Sequence, residues 1–110
     1  MSGKMKNGNI LYDTMLPSAA TANTETLTDN KTLTDDDAQI QFLDPGGMNH
    51  NVILPDAGDE NHPFYIVNTA DASETLTVKD SGGTTVVSIG QNSAAMLISD
   101  GTTWRAIKSA

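Results

Sequence analysis

A chain of 110 residues has room for one hydrophobic core, and a domain of this size buries roughly two-thirds of the surface its unfolded chain would expose. The absence of cysteine excludes a disulfide framework and a thiolate zinc site, and aromatics at 5% make the core thin beneath a surface rich in Thr, Asp, Asn, Ser and Gly. A formal net charge of -8 argues against a nucleic-acid partner, because phosphate contacts need a basic patch, and no apolar run approaches the roughly 18 residues of a membrane span.

Residues 1–24 carry Lys4 and Lys6 against the single acid Asp13, whereas four bases and thirteen acids fall in residues 25–110. The lysines are followed by Asn-Gly-Asn instead of an unbroken apolar stretch, which argues against a signal peptide. Ile10, Leu11, Tyr12, Met15 and Leu16 then cluster with neither helical nor strand spacing. The segment reads either as a loose terminus or as an extended arm that anchors on a neighbouring subunit through those five residues, with residues 18–24 as spacer. The expected division is an N-terminal arm over 1–24 and a β domain over 25–110.

From Glu25 the chain alternates as half-buried strands do, in Glu25-Thr-Leu-Thr-Asp and Lys31-Thr-Leu-Thr-Asp, with Leu27 and Leu33 pointing inward. Asp29-Asn30 is a turn between them and Asp35-Asp36-Asp37 a polar corner. Gln39 to Asp44 places Ile40 and Phe42 on one face, and Pro45-Gly46-Gly47 ends the run, since Gly tolerates positive φ. Asn51 to Pro55 reads as a short strand whose closing Pro55 places it at an edge or at the strand's own end, and residues 56–62 as an exposed loop.

The apolar run from Phe64 to Val67 is the candidate central strand, buried between two layers. Leu76 and Val78 face inward in the next strand, and Asp80-Ser-Gly-Gly marks a hairpin whose return strand runs from Thr84 to Ile89. Gly90-Gln-Asn turns into the strand holding Met96 and Ile98, and Asp100-Gly101 makes a last hairpin before Trp104. Phe42, Phe64, Ile66, Leu76, Val78, Met96, Ile98 and Trp104 form the expected core. Strands recurring with Gly, Asp and Asn between them predict an all-β fold, a small antiparallel β-sandwich or barrel of jelly-roll type. Glu25-Thr-Leu-Thr recurs at Glu74-Thr-Leu-Thr, a hint of two comparable half-sheets.

No nucleophile, base and acid stand in a known motif, so no catalytic set, cofactor or small-molecule substrate is expected and the chain does not read as an enzyme. His50 and His62 read as surface histidines in turns, and Asp56, Asp59 and Glu60 as solvated acids of one loop. The triple Asp at 35–37 lacks the Gly and terminal Glu of an EF-hand calcium loop. Trp104 reads as a core plug beneath Met96 and Phe64, with Arg105 free to pair with an acid on a neighbouring strand or subunit. A core this thin yields about 25 cal/mol per Å² of apolar area against about 1 to 2 kcal/mol of backbone entropy per residue, so an oligomer or lattice-bound subunit is expected.

Thr32-Leu-Thr-Asp-Asp-Asp, Leu43-Asp-Pro-Gly-Gly, Val52-Ile-Leu-Pro-Asp, Phe64-Tyr-Ile-Val-Asn-Thr-Ala-Asp, Leu76-Thr-Val-Lys-Asp, Val87-Ser-Ile-Gly-Gln-Asn and Ser99-Asp-Gly-Thr-Thr-Trp resemble small β domains of tailed-phage virion proteins. The resemblance covers about residues 30–107, and its most specific piece is the closing Ser-Asp-Gly-Thr-Thr-Trp. It implies a structural role as a capsid decoration, or cement, protein: a homotrimer on the capsid exterior, with an N-terminal arm reaching the major capsid protein. One module that starts at its own Met1 fits a free-standing decoration protein better than part of a long fibre. The competing expectation is a receptor- or carbohydrate-binding module of a tail fibre or baseplate.

Overall fold

The structure, a computed structural model, describes residues 22–58 and 62–109, and among these there is no helix. Nine strands follow in chain order: β1 (Ala22–Thr26), β2 (Lys31–Thr32), β3 (Ile40–Asp44), β4 (His50–Ile53), β5 (Phe64–Asn68), β6 (Leu76–Lys79), β7 (Thr85–Ile89), β8 (Ala94–Ser99) and β9 (Trp104–Lys108). They form a five-stranded sheet in the order β1-β3-β5-β8-β9 and a four-stranded sheet in the order β2-β4-β6-β7.

The chain coils before it folds back. Odd-numbered strands up to β5 lie in the first sheet and even-numbered ones up to β6 in the second, so each connection crosses between layers. Successive coils stack in parallel: Ala22 lies beside Ile40 and Ile40 beside Tyr65, while Lys31 lies beside Val52 and Val52 beside Val78. Both sheets are therefore mixed, which corrects the expected antiparallel, jelly-roll-like pairing. A tight hairpin loop returns a strand beside its predecessor, and only β6–β7 and β8–β9 are joined that way. Asparagine side chains tie adjacent coils at the corners: Asn30 Oδ1 accepts the Asn51 N–H at 2.8 Å and Asn49 Oδ1 the Thr75 N–H at 2.8 Å.

Hairpin chemistry works where it was expected. Asp80 Oδ1 accepts the N–H groups of Gly82 and Thr84, with Gly83 at φ 92°, and Asp100 Oδ1 accepts those of Thr102 and Thr103, with Gly101 at φ 95°. The Glu-Thr-Leu-Thr echo does not mark equivalent strands, because Glu25 lies in β1 of the larger sheet and Leu76 in β6 of the smaller one.

One apolar cluster lies between the sheets. Leu43, Phe64, Ile66, Ala95, Leu97 and Trp104 face it from the five-stranded side, and Val52, Leu76, Val78 and Ile89 from the other. Leu27 and Leu33 are buried in it as expected. Three residues of the expected core are not. Phe42 and Met96 are half-buried and Ile98 is 37% exposed, because β3 turns Gln41 and Leu43 inward and β8 turns Ala95 and Leu97 inward. The central position of β5 holds, but Tyr65 on its outer side is 38% exposed, so among the described residues only one layer packs against the strand. β1 begins at Ala22, so the sheet takes up the last three residues of the expected arm.

Candidate functional site

The two sheets present opposite kinds of surface to solvent. On the five-stranded sheet, register carries one row of outward positions across every strand: Ala22, Ile40, Tyr65, Met96 and Ile107. A second row runs Thr24, Phe42, Val67 and Ala94. Tyr65, Ile98 and, at 63%, Ile107 are the most exposed apolar members of this face. The four-stranded sheet turns out Asn51, Thr77 and Ser88 in one row, with Ile53, Lys79 and Thr85 in the next. Strand alternation explains the difference locally: β8 carries apolar residues in both phases, and β3 sets Ile40 and Phe42 against Gln41 and Leu43, so filling the core from one phase leaves apolar residues of the other at the surface.

Among the buried polar side chains, Asn68 reaches toward the other layer and Gln41 ties β3 to β1 within its own sheet. Asn68, wholly buried, donates to the carbonyls of Glu74 and Ile89, each at 2.9 Å, and its Oδ1 accepts the Ala70 N–H. Gln41 donates to the Ala38 carbonyl at 2.7 Å and accepts from the Asn23 amide at 2.8 Å. Neither is singled out by sequence, since an Asn or Gln within a strand shows nothing of its partners until the coils stack.

Three carboxylates converge at the end of β3. Asp44, Asp71 and Glu74 each offer an oxygen within 4.8 Å of the others, on a turn where Asp44 accepts the Gly46 N–H at 2.9 Å and Glu74 the Gly47 N–H at 3.2 Å. An all-oxygen set suits a hard cation such as calcium. The triple Asp at 35–37 builds a turn: Asp37 Oδ2 accepts the Thr34 N–H at 2.7 Å, and Asp36 donates its own N–H to Thr34 Oγ1.

The histidines take backbone carbonyls as partners, His62 Nε2 lying 3.2 Å from that of Asp35, and do not join that acidic group. His50 is buried at the start of β4 with Nδ1 2.7 Å from the Pro45 carbonyl, which corrects its expected place in a surface turn, because Leu76 beside it draws β4 under the next coil. His62 packs edge-on against Phe64 at 4.6 Å, with Nδ1 2.9 Å from the Pro63 carbonyl. Asp56 accepts the Gly58 N–H at 2.9 Å, while Asp59 and Glu60 lie outside the described residues.

Trp104 is buried with its ring 6.1 Å from that of Phe64, and its indole N–H donates to the Pro55 carbonyl at 2.8 Å. Met96, expected beside it, lies on the outer face. Arg105 pairs with Asp100 at 3.2 Å across the β8–β9 hairpin. Hydrogen bonds from the backbone at Thr103 and Thr102, and then from Arg105, hold the Asp100 carboxyl below its ordinary range. An open groove of about 430 Å³ runs between β7 and β9, lined by residues that include Val86, Val87, Thr103 and Trp104. The expected arm residues Lys4, Lys6, Ile10, Leu11, Tyr12, Met15 and Leu16 lie outside the described residues. Comparison with protein-family models, curated proteins and solved structures finds no match to this chain.

Proposed function

We propose that this chain is a structural virion protein of a tailed bacteriophage, decorating and stabilising the capsid exterior as a homotrimer. On this reading the two sheets are a sandwich serving as scaffold, and the N-terminal arm anchors on the major capsid protein through Ile10, Leu11, Tyr12, Met15 and Leu16. The observation that carries it is the apolar outer face of the five-stranded sheet, from Ile40 to Ile107, opposite a polar one. Apolar faces of this extent mark surfaces that meet other proteins. The Ser-Asp-Gly-Thr-Thr-Trp resemblance supports the same reading, since those residues form the hairpin that seats Trp104.

Capsid binding stabilises both partners by mass action, and repetition over a shell multiplies a modest contact. The test is to mix purified protein with undecorated capsids. Saturable uptake is expected, lost on deleting residues 2–17 while the oligomer persists. Capsids that take up nothing at any ratio overturn the proposal.

A second reading, a tail-fibre or baseplate module for a receptor or carbohydrate, is favoured by the exposed Tyr65 ring, on which a sugar could stack. It predicts that Tyr65→Ala abolishes host adsorption and leaves association with the phage particle unchanged.

A further inference from the structure

We propose that the outer face of the five-stranded sheet is the surface through which copies of this chain bind one another. The inference deepens the oligomeric half of the proposed function and does not depend on what the assembly sits upon. Five strands about 4.8 Å apart, over about five residues of about 3.3 Å each, make a face of roughly 24 by 17 Å, or roughly 400 Å², the size of the largest apolar patch on a typical monomer, which is often a functional surface.

Charge selects the occupant. The chain carries 14 acids and a net charge of -8, so most of its surface repels another copy. The strand positions on this face hold one acid and one base, Asp44 and Arg105, and register sets them at opposite corners: Asp44 beyond Phe42 near the β1 edge, Arg105 opposite Ile98 on the β9 edge. Between them lie Ile40, Phe42, Tyr65, Val67, Met96 and Ile107. A like-charged copy can approach over this middle stretch without bringing acids together, as long as it stays clear of the corner where Asp71 and Glu74 gather beside Asp44. A lipid surface would instead call for a basic rim, which a single Arg105 does not supply. The apolar row also runs off the sheet at Ile107, the most exposed apolar member of the face, on β9, which among the described residues is an edge strand.

The test is sedimentation equilibrium of the full-length chain over micromolar concentrations, alongside Tyr65→Glu, Ile107→Glu and, as control on the polar sheet, Ser88→Glu. The expected result is a wild-type mass that is a small multiple of 11.6 kDa, retained by Ser88→Glu, with at least a tenfold weaker association in each face variant. All three positions are exposed, so the variants should keep the wild-type circular dichroism. A wild-type mass of 11.6 kDa throughout, or a multimer indifferent to both face variants, overturns the inference. So does a wild-type monomer that binds a hydrophobic dye only after deletion of residues 2–17, since the chain would then cover its own face. A multimer that dissociates as expected yet ignores capsids leaves the inference standing and removes the capsid proposal.

Discussion

Asn68 joins the two layers more directly than any apolar contact does, because both protons of its buried amide go to carbonyls on the four-stranded side. Replacing it by Leu leaves those carbonyls and the Ala70 N–H without their side-chain partner, at about 1 kcal/mol or more for each unsatisfied group. Asn68→Leu should therefore lower stability by about 2 to 4 kcal/mol, read as a shifted denaturant midpoint at unchanged slope. Glu25 makes a smaller, pH-dependent contribution. Hydrogen bonds from Lys31, 2.9 Å away, and from Asn23 hold its carboxyl below the ordinary value of 4.5, against the opposing effect of burial. A depressed carboxyl stabilises the fold above its unfolded value, and that contribution is lost as pH falls through the folded one. With the side chain 40% exposed, solvent screening leaves about 0.5 kcal/mol. Glu25→Gln should thus flatten the acid side of the melting-temperature curve below about pH 4.5, and melting curves that stay parallel to wild type would contradict it.

At the scale of elements, the Pro45–Gly47 turn separates two uses of glycine. Gly46 has φ 83° and lies so close to the first coil that a Cβ would be driven into the Leu27 carbonyl oxygen, whereas Gly47, at φ 104°, has open space around its Cβ position. Gly46→Ala should cost about 2 kcal/mol or more and Gly47→Ala about 1 kcal/mol, as judged by thermal melts of the two variants. Equal losses would mean that the backbone angle alone, and not the contact between coils, sets the requirement. Both glycines are legible as a turn from sequence. The approach to Leu27 is not, because it exists only when β1 lies parallel to β3.

For the molecule as a whole, acid excess is the dominant long-range term. The Debye length shrinks from about 30 Å at 0.01 M ionic strength to about 3 Å at 1 M, so added salt removes most of the self-repulsion of a chain at -8. Sodium chloride should raise the melting temperature. Asp71→Asn should raise it in low salt and reduce the further gain from salt, because it removes one of three carboxylates gathered with Asp44 and Glu74. A melting temperature indifferent to salt would show that the acids are already compensated.

The amino-acid sequence by itself determined that the chain is all-β, where its two hairpins fall, and that Leu27, Phe64, Leu76 and Trp104 are buried. These properties follow from local chemistry: alternation, turn residues that tolerate positive φ, and side chains too apolar to leave in water. Only the tertiary structure decided that the first six strands coil in parallel and which phase of β3 and β8 faces inward. A one-residue shift of phase moves every side chain of a strand to the other face. Ile40 and Phe42 look as fit for the core as Gln41 and Leu43 until β1 brings the Asn23 amide to Gln41. Met96 and Ile98 lose the interior to Ala95 and Leu97 in the same way, and the apolar outer face results from those two outcomes.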